Sequence, residues 1–186
     1  YSSINKNSKA YEVLTNLSST KNNIILDFNY TASTRLILKQ CGLSDEDIDN
    51  RLIKVHGEAS NNDIIFGVED NAGIKKEHVF LRKAYNIKYK ALNFSELYDR
   101  IKSVAIFGHS LGETDHTYFN KLFQESCMYN KFSTNNNKEF WLFYYKENGY
   151  HCMMQQLDSL THNSLTSFRQ YNRVNFINTD KEKVFI

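Results

Sequence analysis

Cysteine is scarce in this chain. Cys41, Cys127 and Cys152 are an odd number with no C-x-x-C spacing, which argues against a disulfide framework, a four-cysteine zinc site and a redox pair alike. A reducing cytoplasm is the simplest compartment for such a chain. Charge of one sign is scarce as well. A net charge of +2 is too small for the field of a nucleic-acid-binding surface, and no apolar run approaches the roughly 18 residues of a membrane span. Neither nucleic acid nor membrane is therefore an expected partner. There is no internal repeat, and the Asn- and Ser-rich joints at 60–62 and 133–137 are too short to separate domains. The first residue is Tyr1, without an initiator methionine or a signal pattern, so the chain reads as the C-terminal part of a longer polypeptide. Its 186 residues suit a single domain that buries about 70% of its unfolded surface.

Local patterns predict alternating helices and strands. Ala10, Val13, Leu14 and Leu17 recur at helical spacing and predict a helix over 7–18. The run from Ile24 to Phe28 suits a strand buried on both faces, and a helix over 33–40 should stop at Gly42 in a left-handed cap. Strands are predicted at 52–56, 63–67, 104–107, 140–145 and 173–177. Helices are predicted within 75–90, from Ser95 to Ile101, after Thr114 or Asp115, and from Tyr150 to Tyr171. The fold class that follows is α/β, with a mainly parallel sheet. The basic stretch 75–90 is most simply a solvated face, though it could receive a phosphate or a nucleic-acid backbone. His78, His151 and His162 show no metal-ligand spacing, and the aromatic run 140–145 reads as core.

In parallel sheets ligands bind at the carboxyl ends of the strands. The polar residues and glycine expected there are Asn29, Tyr30, His56, Gly67, His109, Ser110 and Asn178. The stretch Gly108-His109-Ser110-Leu111-Gly112 spells the G-x-S-x-G of a serine-hydrolase elbow. A triad should follow in the order Ser, acid, His, yet Asp180, the best strand-end acid, comes after His116, His151 and His162. A hydrolase using Ser110 is thus a lesser alternative to a loop that holds a nucleotide.

Phe28-Asn29-Tyr30-Thr31, His56-Gly57, Phe66-Gly67, Gly108-His109-Ser110-Leu111 and Ile177-Asn178 resemble, in that order, five motifs of the sirtuin-like fold. More closely, FNYT, the His-Gly pair and GHSLGETD followed by Tyr118-Phe119 look like the bacteriophage abortive-infection AbiH family. The resemblance spans roughly residues 24 to 178. It implies a three-layer Rossmann-like domain covering 1–186, with helices on both faces of the sheet. It also implies a phage-defence protein whose nucleotide site hydrolyses NAD or a related nucleotide, or else a non-catalytic nucleotide- or phage-sensing module. The three cysteines cannot supply the zinc module of sirtuin deacylases, so no metal is expected. The glycine-containing first strand and turn that hold the pyrophosphate in those families are not found before Asn29.

Cleaving the nicotinamide–ribose bond passes through an oxocarbenium-like state. Asn29 would orient a water, since an amide both donates and accepts without titrating. His56 would serve as base. Tyr30, Gly67, Gly108, His109, Ser110 and Asn178 would contact the nucleotide, Ser110 by donating to a ribose or phosphate oxygen. The expected partners are this nucleotide and a phage-derived trigger, and a homo-oligomer is compatible with them.

Overall fold

The computed structural model describes residues 5–20, 22–68, 72–85, 98, 100–128 and 137–180. The chain divides into two compact units, Tyr1–Tyr89 with Val184–Ile186, and Lys90–Lys183. Helices mix with parallel strands in both, so the fold is α/β. No helix among the described residues is long and apolar enough to cross a membrane.

The first unit begins with α1 (Lys9–Ser18), which starts where the Ser8 side chain accepts the Tyr11 amide hydrogen at 3.2 Å. Strand β1 (Ile25–Asp27) leads to α2 (Ser33–Gln40), α3 (Asp45–Arg51) and β2 (Leu52–Lys54). The two strands pair in parallel, with Ile25 opposite Leu52 and Asp27 opposite Lys54. Helix α2 ends as its sequence predicts. Gly42 takes φ +90°, and the amides of Gly42 and Leu43 bond back to Lys39 and Leu38. Leu38, Ile48 and Leu52 form the buried core, with Leu14, Ile25 and Leu43 packed on it.

Helix α3 was not expected, because its sequence DEDIDNR offers one apolar residue and hence no periodicity. Its signal is electrostatic: Ser44 caps the Asp47 amide at 3.1 Å, three acids occupy the first turn and Arg51 the last. The predicted strand 63–67 is not one. Ile65 bonds to the His56 carbonyl, and the ladder contact found here among the described residues is an isolated bridge from Val68 to Arg82. Asp63 has left the ladder to accept the Glu58 amide at 2.6 Å. Residues 76–81 and 83–85 form 3₁₀ turns in place of the predicted helix. Val79, Phe80 and Leu81 are consecutive and so cannot share one helical face, and Phe80 and Leu81 remain exposed. Residues 86–90 lie outside the described set, as does most of the predicted helix 95–101.

The second unit carries β3 (Ser103–Ile106), α4 (His116–Ser126), β4 (Glu139–Tyr144), α5 (Lys146–Leu160), α6 (Leu165–Tyr171) and β5 (Arg173–Asn178). Its three strands lie in the order β3-β4-β5, all parallel. Phe123, Phe140 and Phe168 pack ring against ring at 4.7–5.6 Å beside the fully buried Leu142, Leu157 and Leu160. Each such ring contributes about 1.5–3 kcal/mol by leaving water. The single helix expected over 150–171 is two helices. His162 and Asn163 both adopt positive φ between α5 and α6, and Asn163 bonds back to the Asp158 carbonyl. Asparagine and histidine tolerate that conformation better than branched residues do, which makes the break affordable there.

Candidate functional site

Because β1 and β2 are parallel, their carboxyl ends share one rim of the first unit, with Asp27 and Lys54 on its last rung. Lys54 is the hub. Its ammonium bonds to Asp27 Oδ2 at 2.9 Å, to the carbonyl of Thr31 at 2.7 Å and to the carbonyl of Asn29, with Glu58 Oε2 4.0 Å away. Asp27 and Glu58 are buried. A buried carboxylate survives only when charge and hydrogen bonds replace its lost water, and here Lys54 supplies both. Asp27 Oδ1 also accepts from the Asn29 backbone at 2.9 Å and from Asn29 Nδ2 at 3.1 Å. The amide nitrogen of Asn29 is therefore tied to Asp27, on a residue that is itself exposed.

His56 follows β2 by two residues and is 6% exposed. Its ring meets Phe28 edge-on at 5.5 Å and lies 5.9 Å from Tyr30, whose ring in turn sits 5.5 Å from Phe66. Gly57 is required next: φ is +74°, and a Cβ would collide with the Asp63 carbonyl, lying 2.7 Å from its carbon. Gly67 likewise has a packing role, since a Cβ there would stand 2.5 Å from the Leu81 carbonyl oxygen and 2.9 Å from the Lys83 nitrogen. The structure thus assembles Asn29, Tyr30 and His56 at one rim.

Gly108, His109, Ser110 and Asn178 belong to the second unit. Gly108 leaves β3 at φ +64° with open space where a Cβ would stand. Leu111 is fully buried at φ 54°, a conformation that costs an L-residue about 1–2 kcal/mol. His109 braces it: Nδ1 accepts the Leu111 amide hydrogen at 2.9 Å, which puts the ring proton on Nε2, 3.3 Å from Asp115 Oδ2. Asp115 stands at the N-cap of α4 but makes no side-chain cap bond.

Ser110 is exposed. In a hydrolase elbow the nucleophile itself takes the strained turn, whereas here the positive φ values fall on Gly108 and Leu111. His116 bonds through Nε2 to the Leu111 carbonyl at 3.0 Å and to Gln156 at 2.9 Å.

Asn178 ends β5 beside a cleft of about 410 Å³ lined by Tyr144, Lys146, Glu147, Tyr150, Asn178 and Asp180. Its Oδ1 accepts the Asp180 amide hydrogen at 3.0 Å, as a turn-forming asparagine does. A hydrogen bond to Tyr145, together with the charges of Tyr145 and Asp180, holds the Lys146 ammonium above its usual range.

Sequence reasoning missed Asp27 and Lys54 and gave Phe66 only as part of the Phe66-Gly67 motif. A signal for the first two existed: each apolar run, ILDF and LIKV, carries one charge of opposite sign at its third place. Two buried parallel strands can hold those charges only as neighbours.

The family described as bacteriophage abortive infection AbiH matches residues 2–145. Neither a curated protein nor a solved structure matches the chain. With its FNYT rim, His-Gly turn and GHSL loop all inside the matched span, the chain belongs to the bacteriophage abortive infection AbiH family.

Proposed function

We propose that this chain, an abortive-infection protein by family, hydrolyses NAD or a related nucleotide at a sirtuin-like site within a three-layer Rossmann-like arrangement. The observation that carries the proposal is the rim of the first unit, where Asp27 holds the backbone and side-chain amide of Asn29 on the same strand ends as Tyr30 and His56. Water bound to Asn29 Oδ1 attacks the anomeric carbon as the C–N bond breaks. Nicotinamide leaves with the bonding pair, ADP-ribose forms, and the proton released by the water passes to His56. A phage-derived trigger switches the activity on.

Incubated with NAD, the full-length protein should release nicotinamide, and Asn29→Ala and His56→Ala should abolish release. Unchanged turnover in both variants would remove the assignment. The burial of His56 favours a second reading, in which the rim binds a nucleotide and regulates a partner without turnover. Saturable NAD binding with no nicotinamide formed is its signature.

A further inference from the structure

We infer that Phe66 and Tyr30 form a stacking wall for a planar heteroaromatic ring, so that the rim of the first unit takes a ligand through its pyridine or purine ring. The inference rests on the nucleotide reading of that rim. Phe66 is 70% exposed although its backbone is held on both sides. The Ile65 amide bonds to the His56 carbonyl at 2.9 Å and the Val68 amide to the Leu81 carbonyl at 2.8 Å, while Gly67 fits against the Leu81–Lys83 backbone. The ring therefore projects from a fixed support.

It is also one of a series. The Phe66 and Tyr30 planes differ by 35°, and those of Tyr30 and His56 by 30°, at centroid distances of 5.5 and 5.9 Å. Three rings step from a buried imidazole to an exposed phenyl face. An exposed phenyl face on a held backbone suits a partner that is flat and aromatic, because neither side loses much freedom on stacking. An aliphatic chain would gain only the area it covers.

The test titrates full-length protein with nicotinamide mononucleotide, AMP and ribose 5-phosphate by calorimetry. A ring-bearing nucleotide should bind at least tenfold more tightly than ribose 5-phosphate, and Phe66→Ala should erase about tenfold or more of that difference. Phe66→Trp should keep the affinity, and its added fluorescence, read against wild type, should be quenched by the ring-bearing ligand alone. Preference for nicotinamide mononucleotide identifies a pyridine ring and preference for AMP a purine. If Phe66→Ala binds as wild type while Asn29→Ala binds weakly, the stacking wall is refuted and the nucleotide reading stands. If wild type binds none of these ligands, the nucleotide reading falls and takes the wall with it. Because Phe66 is exposed, unchanged thermal melts should accompany both Phe66 variants.

Discussion

Gly57 and Gly108 both adopt left-handed φ, at +74° and +64°, and both follow a strand that ends near the proposed chemistry. Substituting each by alanine separates two reasons for a glycine. At Gly108 a Cβ meets nothing within 4 Å, so Gly108→Ala carries only the backbone cost, about 1–2 kcal/mol. At Gly57 the same backbone cost applies, and the Cβ also displaces Asp63. Moving Asp63 breaks the 2.6 Å bond from the Glu58 amide to its carboxylate, a charge-assisted bond worth about 1.5–3 kcal/mol. The sum for Gly57→Ala is about 2.5–5 kcal/mol. For a unit of this size, that lowers the midpoint of thermal unfolding by more than about 10 °C. Urea and thermal unfolding followed by far-UV circular dichroism measure both variants, and Trp141 fluorescence reports separately on the unit that carries Gly108. Equal losses in the two variants, or a Gly57→Ala loss no larger than that of Gly108→Ala, would refute the account of Gly57 as a close-approach residue.

Lys54→Met should destabilise the first unit by about 3–5 kcal/mol, because it strands the buried Asp27 carboxylate without its cation; adding Asp27→Asn should recover part of the loss in urea titrations. A hydrogen bond and the charge of Lys39, joined by Arg35, depress the Asp45 carboxyl. Its folded pKa thus lies below its unfolded one, so its contribution is complete above the unfolded value and is lost as pH falls through the folded one. Asp45→Asn should flatten the pH dependence of the melting temperature below about pH 4, and an unchanged acid limb would contradict this. Burial pushes the Cys127 thiol up, and it donates to the Phe123 carbonyl at 3.2 Å, whereas Cys152 is exposed on α5. Mass spectrometry after brief iodoacetamide treatment should find Cys152 modified before Cys127, and the reverse order would overturn this reading of the two sites.

The elements that sequence reasoning located correctly are those governed by neighbours one helical turn or one strand away. Helix α2 stops at Gly42 because the left-handed cap is a property of that residue, and α1 begins at Ser8 for the same local reason. Asn29, His56, Gly108 and Asn178 were identifiable as strand-end residues because each follows or closes an apolar run. Less legible were the features set by partners. Asp63 looked like the start of a strand until its carboxylate was seen holding Glu58, and a continuous helix over 150–171 fails at His162 and Asn163.

The amino-acid sequence by itself determined the α/β class and the parallel character of the pairing, since propensity, capping and periodicity act within a few residues. Only the tertiary structure decided that Asp27 meets Lys54 across 27 residues, that Asn29 bonds back to Asp27, and that His56 is buried beside Tyr30 while Phe66 stays in water. Burial and hydrogen-bond partners belong to pairs of segments distant along the chain, and no local pattern encodes which segment will arrive.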